Sequence, residues 1–368
     1  MAPTLQAVLV AVAAAAATAA WACSDYGLVA GGYFTNADGQ EAGYVAQWNG
    51  TAWLTLGEGV NDWVFALAVY QGALVAAGRF TLAGGRPVRN VAQWNGTDWS
   101  ELGGGTDYMV YALLEYQGKL VAGGYFLTAG TVPADHVAAW DGRAWTTFNP
   151  ATDGLVLCLG TYHGDLLAGG EFTMAGGRAA SNIARWDGTE WWPLSSGTNR
   201  FVHTMLQYND LLMVGGEFTV AGGKDVRYIA QWDGAEWASV GLGMNHYVQA
   251  LANYRLTLIA GGAFIDADGV TVRSIAQWTG LSWAPLAQGL NGWVYALLVD
   301  EDKLVAGGDF TRSGALPAEH VAVWNGTEWA QYGEGMCGMR FSNVKALACY
   351  DLLPRASTAT AVWNPCLP

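Results

Sequence analysis

Several side chains that could carry chemistry lie close together in FTVAGGKDVRYIAQWDGAEW, at residues 218–237. Its glycine pair beside Lys224 suggests a phosphate loop, in which backbone N–H groups and a lysine surround phosphate oxygens. Such a loop also needs a glycine five residues before Gly223 and a Ser or Thr after the lysine, which binds magnesium. The sequence has Phe218 and Asp225 at these places, so we do not expect phosphate binding here.

The same stretch recurs along the chain with a spacing of 46 residues, and a fixed period of this size indicates an array of identical structural units. A phenylalanine and two tryptophans mark each of seven copies. The phenylalanines are Phe34, Phe80, Phe126, Phe172, Phe218, Phe264 and Phe310. The tryptophans are Trp48, Trp94, Trp140, Trp186, Trp232, Trp278 and Trp324, and Trp53, Trp99, Trp145, Trp191, Trp237, Trp283 and Trp329. A position filled identically in every copy is expected to build the core between units rather than a sugar platform.

Candidate metal ligands are explained by the repeat as well. Asn36-Ala-Asp38-Gly and Asp266-Ala-Asp268-Gly resemble the start of a calcium loop but lack its spacing and its later bidentate glutamate. We expect turns there. The five histidines do not cluster, and His136 and His320 share one repeat position with asparagines, so no metal or other cofactor is predicted.

Each repeat contains four short apolar runs separated by turn residues, and none is long enough for a helix. The Asn-Gly or Asp-Gly pairs suit two-residue hairpins, in which both central residues have positive φ. A four-stranded sheet must stack on its neighbours to bury both faces, so the fold class is all-β, a seven-bladed β-propeller of antiparallel blades. The chain enters at a second strand, YGLVAGGYF, and the last repeat element is a first strand, VKALACY at 344–350, so we expect this C-terminal strand to complete the N-terminal blade.

The hydrophobic strand ending in Gly-Gly, followed by an aromatic residue, a tight turn and a tryptophan, resembles the kelch repeat. This resemblance implies the propellers of kelch proteins and of the central domain of galactose oxidase. The strings AGGxFT and AxWxGxxW are also similar to secreted repeat proteins and to the repeat region of fungal cortical polarity markers. The resemblance implies a fold and says little about activity, because propellers host many functions. No positions match the copper site of galactose oxidase, so copper chemistry is not expected.

The composition excludes some classes of partner. A net charge of −14 disfavours nucleic acid, which requires a basic surface. Residues 1–22 form an alanine-rich apolar segment ending in an A-x-A pattern, which predicts a signal peptide and a secreted or cell-surface protein; a membrane anchor or a lipid-modified Cys23 are the alternatives. We expect the propeller at 23–350, a C-terminal strap at 351–368, no membrane span in the mature chain, and a monomer.

Four of the five cysteines lie near the chain ends, where one or two disulfides would tie the termini: Cys23, Cys337, Cys349 and Cys366. Their pairing stays open. Cys158 takes a repeat position held elsewhere by alanine and is expected to be a small buried residue. Asn49, Asn95 and Asn325 are formal glycosylation acceptors, although their role as turn residues explains them without sugar.

Function is expected where the copies differ while they face a common surface. The loops before each first strand and after each second strand lie at one end of a propeller. An Asn/Asp position there is expected to form turns, and its variable neighbours are the candidate ligand contacts. These candidate contacts are Asp62, Trp63, Arg79, Asp107, Tyr125, Glu171, Arg200, Phe201, Glu217, His246, Tyr247, Trp293 and Asp309.

Aromatic side chains among polar neighbours suit recognition of a glycan or a protein. The sequence therefore favours a non-catalytic binding or interaction module with no catalytic residues. The alternative is a carbohydrate-active enzyme that uses carboxylates at the same surface, such as Glu171, Glu217 and Asp309. That chemistry needs two carboxyls about 5 to 10 Å apart.

Overall fold

A computed structural model describes residues 9–10, 27–148, 150–300, 302–339 and 342–350. Within these ranges the chain is all-β and contains no helix. Seven four-stranded antiparallel sheets, here called blades 1 to 7 in chain order, form a closed ring. The predicted seven-bladed propeller is therefore confirmed. In the described part of the chain, no helix has the length and apolar character that a membrane span requires.

Each blade runs from an inner first strand to an outer fourth strand. The first strands of blades 2 to 7 and then blade 1 are Val64–Tyr70, Val110–Tyr116, Leu155–Tyr162, Val202–Tyr208, Val248–Tyr254, Val294–Asp300 and Asn343–Tyr350. The second strands, from blade 1, are Gly27–Tyr33, Ala73–Gly78, Lys119–Gly124, Asp165–Glu171, Leu211–Gly216, Thr257–Gly262 and Lys303–Gly308. The third are Val45–Trp48, Val91–Trp94, Val137–Trp140, Ile183–Trp186, Ile229–Trp232, Ile275–Trp278 and Val321–Trp324. The outer strands are Trp53–Thr55, Trp99–Glu101, Trp145–Thr147, Trp191–Pro193, Trp237–Ser239, Trp283–Pro285 and Trp329–Gln331.

The ring closes as the sequence predicts. Asn343–Tyr350 pairs antiparallel with Gly27–Tyr33, in a register that places Tyr350 opposite Gly27 and Asn343 opposite Tyr33. The same strand packs against Val64–Tyr70 of blade 2, so every first strand has a neighbour on both sides. The last strand of the described chain therefore completes the first blade.

Buried indoles join adjacent blades. The Trp237 side chain is 1% exposed, and its Nε1 donates a hydrogen bond to the Leu194 carbonyl of the preceding blade at 3.0 Å. The equivalent donor–acceptor pairs run round the whole ring: Trp53–Tyr332, Trp99–Leu56, Trp145–Leu102, Trp191–Phe148, Trp283–Val240 and Trp329–Leu286. Because a buried indole N–H needs an acceptor, each of these bonds links one blade to the preceding one. The interpretation of these tryptophans as inter-blade core is confirmed.

The glycine pair at the end of each second strand is needed for two separate close approaches. A Cβ on Gly215 would stand 2.5 Å from Cγ1 of Val248 in the next blade. A Cβ on Gly216 would overlap the carbonyl oxygen of Phe201, which precedes the first strand of the same blade. The first glycine therefore permits the packing of neighbouring blades, and the second permits the bulged start of the inner strand.

A short hairpin between the second and third strands was not predicted, because two-residue strands are too short to show a period. The seven hairpins are Asn36–Ala37 with Gln40–Glu41, Leu82–Ala83 with Arg86–Pro87, Thr128–Ala129 with Val132–Pro133, Met174–Ala175 with Arg178–Ala179, Val220–Ala221 with Lys224–Asp225, Asp266–Ala267 with Val270–Thr271, and Arg312–Ser313 with Leu316–Pro317. Met336–Cys337 adds a third strand to the first of them. Asp38 and Asp268 lie in hairpin turns with φ of 49° and 52°, which confirms the interpretation of these stretches as turns.

Near the chain ends, Leu9–Val10 pairs with Leu251 and Ala252 on the inner edge of blade 6. The rest of the predicted signal peptide 1–22, the predicted strap 351–368, Cys23 and Cys366 lie outside the described residues. Cys349 is disulfide-bonded, whereas Cys337 is an exposed free thiol. Cys158 is a buried free thiol, in agreement with its predicted role as a small core residue.

Candidate ligand-binding site

One end of the ring, here called the mouth face, carries the loops before the first strands and the hairpins after the second strands. Its recurring Asn/Asp position ties these two segments together. Asn199 Oδ1 accepts hydrogen bonds from the backbone N–H groups of Thr219 at 2.9 Å and Val220 at 3.0 Å. Asn61, Asp107, Asp153, Asn245 and Asn291 make the same pair of bonds in their own blades. This Asn/Asp position therefore stabilises the scaffold. Asp107, which the sequence predicted as a ligand contact, occupies this position.

Four aromatic side chains, here called the aromatic run, lie side by side from the edge of the mouth to the central channel. The Tyr33 and Trp63 ring centroids are 4.6 Å apart, and those of Trp63 and Phe65 are 5.6 Å apart. Phe65 then stacks on Tyr111 at 4.8 Å with an interplanar angle of 23°. All four rings are partly exposed, so blades 1, 2 and 3 present one continuous aromatic surface.

A charged pair borders this surface. The Arg79 guanidinium donates two hydrogen bonds to the Asp62 carboxylate, from Nε at 2.9 Å and from an Nη at 3.1 Å. Its carbon lies 5.6 Å from the centre of the Trp63 ring. The pair is partly exposed, with 46% of the Arg79 side chain open to solvent, so it contributes little to stability and is available to a ligand. Burial and the nearby Asp62 charge raise the pKa of Tyr44 beside it.

Blade 3 adds two exposed tyrosines. Tyr108 and Tyr125 are 49% and 53% exposed, and their rings meet edge to face at 5.4 Å. The other side of Tyr125 stacks on His136. Burial lowers the pKa of that histidine, so it is held neutral beneath the tyrosine.

On blades 4 and 5 the predicted contacts differ in how far they are exposed to solvent. Glu171 is exposed. Glu217 lies 3.1 Å from Nε2 of His203, and both side chains are mostly buried. The hydrogen bond from His203 lowers the pKa of Glu217 despite its burial, so the carboxyl is ionised. Arg200 extends over the ring of Phe201 at 5.8 Å.

Blades 5, 6 and 7 carry a second aromatic group. The His246 and Tyr247 rings are 4.1 Å apart, and Trp293 of the next blade lies 6.0 Å from His246. Tyr228 packs against both His246 and Tyr247. The predicted residues of this group are therefore brought together, although the sequence places them up to 47 positions from one another.

Asp309 connects the mouth to the channel wall. Its carboxylate accepts hydrogen bonds from the Trp293 backbone N–H and, at 3.4 Å, from the Tyr295 hydroxyl. The amine of Lys345 lies 3.0 Å from the centre of the Tyr295 ring. Burial lowers the pKa of Lys345 to about 7, although the Asp309 charge opposes the shift. Burial also raises the pKa of Tyr295.

Lys345, Tyr295 and His203 belong to a ring of side chains that the prediction missed. In each inner strand the residue that follows the first valine is partly exposed between buried neighbours, which places it on the channel wall: Phe65, Tyr111, Leu157, His203, Gln249, Tyr295 and Lys345. The sequence did contain the signal, because this position changes from copy to copy within strands that are otherwise uniformly apolar. Among the described residues no group of three or more His, Cys, Asp or Glu could hold a metal ion.

Comparisons with known proteins establish the fold alone. No protein-family model matches the chain, and no curated protein matches it. Among solved structures, the chain is similar to the computationally designed Ika8 protein, with a TM-score of 0.53, 16% identity, and 93% and 90% of the two chains covered. It is also similar to the extracellular domain of the putative hybrid two-component system BT4673 from B. thetaiotaomicron, with a TM-score of 0.50 and 13% identity over 76% of this chain and 35% of that one. The WD40 β-propeller domain of Doa1 matches with a TM-score of 0.48 and 12% identity, over 82% of this chain and 87% of that one.

Proposed function

We propose that this protein is a non-catalytic binding module that holds a glycan against the mouth face. The observation that carries the proposal is the aromatic run of Tyr33, Trp63, Phe65 and Tyr111 with the Asp62–Arg79 pair along its border. Sugar rings stack on aromatic faces through their C–H groups, while their hydroxyls need donors and acceptors at the edge of the ring. On this surface the aromatic faces and the hydrogen-bonding groups lie close together.

A kelch-like repeat and a secreted or cell-surface location form part of the same proposal. The AGGxFT and AxWxGxxW strings support the first, and the apolar segment at 1–22 supports the second. A binding module facing the cell exterior would meet glycans directly.

Hydrolysis of the glycan is the competing function, and the carboxylates do not favour it. A glycosidase needs one carboxyl with a raised pKa as general acid. Glu217 has a lowered pKa because His203 donates to it, and Asp309 accepts from a backbone N–H and a tyrosine hydroxyl. Both carboxylates serve existing partners, and Glu171 is exposed.

A glycan array tests the proposal, with wild-type protein beside Trp63→Ala and Arg79→Ala. Trp192→Ala is the matched control, because Trp192 is 38% exposed on the outer strand of blade 4, away from the aromatic run. We expect the two mouth variants to weaken binding of the array hits at least tenfold, about 1.4 kcal/mol, and the control to bind as the wild type does.

The hits are then incubated with the wild type and analysed for cleavage. Binding without cleavage supports the module. Cleavage that Glu217→Gln abolishes supports the enzyme, and an array without hits, or equal loss in Trp192→Ala, contradicts glycan recognition at the aromatic run.

A further inference from the structure

The turns between the third and fourth strands lie at the far end of the ring, because each third strand runs away from the mouth face. In blade 1, Oδ1 of Asn49 accepts hydrogen bonds from the Thr51 N–H at 3.0 Å, the Thr51 hydroxyl at 2.9 Å and the Ala52 N–H at 2.9 Å. One oxygen atom therefore holds the whole turn. The same three bonds form in blades 2 and 7, to Asn95 from Thr97 and Asp98 and to Asn325 from Thr327 and Glu328.

The side-chain nitrogen of these asparagines takes no part in the turn. Within the described part of the chain, Nδ2 of Asn49, Asn95 and Asn325 has no hydrogen-bond partner, since Oδ1 receives every bond. In blades 3 and 5, Asp141 and Asp233 accept the same two backbone bonds with a carboxylate. An aspartate builds this turn as well, so the turn accounts for the oxygen at the position but not for the amide.

The amide occurs where a threonine follows two residues later. All three asparagines stand in Asn-Gly-Thr, whereas Asp141 and Asp233 are followed by Arg143 and Ala235. Asn-x-Thr, with x other than proline, is the acceptor sequence for N-linked sugar. The asparagines and their threonines are exposed, so a transferase can reach them and a bulky sugar has room there.

The three acceptors belong to adjacent blades. Asn343–Tyr350 of blade 1 packs against Val294–Asp300 of blade 7 on one side and against Val64–Tyr70 of blade 2 on the other. The remaining four blades have side chains at this position that cannot form an N-glycosidic bond: Asp141, Asp187, Asp233 and Thr279. The acceptors therefore form one arc, at the opposite end of the ring from the aromatic run.

We propose that Asn49, Asn95 and Asn325 carry N-linked glycans, which cover the far end of blades 7, 1 and 2. In the transfer, Nδ2 forms a bond to the anomeric carbon of a lipid-diphosphate-linked oligosaccharide and releases one proton. The bond between that carbon and the diphosphate oxygen breaks, and the lipid diphosphate leaves. Oδ1 is unchanged, so the turn keeps its three bonds. The inference rests on the secreted location proposed above and does not depend on glycan recognition at the aromatic run.

Glycopeptide mass spectrometry of the full chain secreted by insect cells locates the sugars. A second chain, in which a signal sequence of these cells replaces residues 1–22, is analysed in parallel. Glycans at all three asparagines in either chain support the acceptor sites. If the second chain alone carries them, the error lies in the proposed role of residues 1–22.

The aspartates of the other blades provide variants that keep the turn. Asn49→Asp, Asn95→Asp and Asn325→Asp each retain the accepting oxygen, so the fold should be preserved. Each variant should lose the mass of one glycan, and the triple variant should lose all three. Circular dichroism melts of the triple variant, compared with enzymatically deglycosylated wild type, check that the turns are intact.

Blade 5 offers a matched pair that adds a site. Asp233→Asn alone creates Asn-Gly-Ala and should remain without sugar, whereas Asp233→Asn combined with Ala235→Thr creates Asn-Gly-Thr in the same turn. We expect a fourth glycan on the double variant. Its absence, while the other three sites are occupied, would contradict the claim that this turn presents the amide for transfer.

The glycan array separates this inference from the proposed function. The triple variant should bind the array hits as tightly as the wild type does, because its changes lie at the opposite end of the ring. A glycosylated wild type without array hits would contradict recognition at the aromatic run alone. Secreted protein with unmodified Asn49, Asn95 and Asn325 would overturn the present proposal, and so would a triple variant as heavy as the glycosylated wild type.

Discussion

The shell between the blades and the mouth face belong to the same repeats but obey opposite rules. In blade 5, Val202 and Met205 of the shell are buried and have apolar equivalents in every other blade, whereas the position of Glu217 at the mouth changes its chemical character from blade to blade. In the shell, each copy must fit the next copy, so a change in one repeat would misfit its neighbour. At the mouth no such constraint acts, so side chains there can differ between copies and are free to form a binding surface.

The largest effect is expected from opening the ring. A chain ending at residue 342 lacks Asn343–Tyr350, which leaves Gly27–Tyr33 unpaired and exposes the faces of blades 2 and 7. We expect this chain to lose its cooperative unfolding transition in circular dichroism melts. A chain ending at Tyr350 keeps every described strand and is the matched control. A folded, cooperatively melting 342-residue chain would contradict the role of closure.

The next largest effect is expected within the shell. Trp237→Ala removes a fully buried indole and leaves the Leu194 carbonyl without its donor. Loss of a buried Trp costs about 3–5 kcal/mol in the free energy of unfolding. Urea denaturation should show this loss, while Trp192→Ala should cost less than about 1 kcal/mol because that indole lies at the surface. Equal losses would erase the distinction between core and surface tryptophans.

A smaller effect is expected from the braces at the mouth. Asn199→Ala removes the acceptor for the Thr219 and Val220 N–H groups and a donor to the Thr219 hydroxyl. We expect a loss of about 1–2 kcal/mol in urea denaturation, because exposed N–H groups regain water. Asn199→Asp retains the acceptor and should restore most of the stability. If it does not, the brace depends on more than these two accepted bonds.

The effect expected at the channel wall depends on pH. The folded pKa of Lys345, about 7, is below its ordinary value of 10.5, so between these values the unfolded chain binds a proton that the folded chain lacks. Stability should therefore rise with pH across this window. Melting temperatures of Lys345→Met should lack that part of the rise. If the variant follows the wild-type curve, Lys345 is charged in the folded protein.

Much of the fold could be predicted from the sequence because the 46-residue period shows which positions recur in every blade. The recurring Trp and Gly-Gly positions each serve one geometric need, and ring closure follows from counting strands. The two-residue hairpin predicted at the Asn-Gly and Asp-Gly pairs is wrong. Four residues connect Trp48 to Trp53, Gly50 alone of the pair has positive φ, and Asn49 Oδ1 instead accepts from the backbone N–H groups of the loop. The candidate site could be predicted only in part. Asp62 and Arg79 were chosen separately, but their bidentate contact depends on two loops that the sequence does not place.

Side-chain contacts between blades could not be predicted from the sequence. Lys345 meets Tyr295 across a boundary of 50 residues, and no pattern marks such a pair. The repeated pattern therefore predicts the scaffold. The role of a residue that differs between copies can be assigned only once the residues packed around it are known.

The strand that completes blade 1 is also the last described segment to leave the ribosome. Until Asn343–Tyr350 is synthesised, Gly27–Tyr33 has one hydrogen-bonding edge without its native partner, more than 300 residues ahead of that partner. A nascent chain of this protein must therefore keep the unpaired edge of Gly27–Tyr33 from pairing with other strands until Asn343–Tyr350 becomes available.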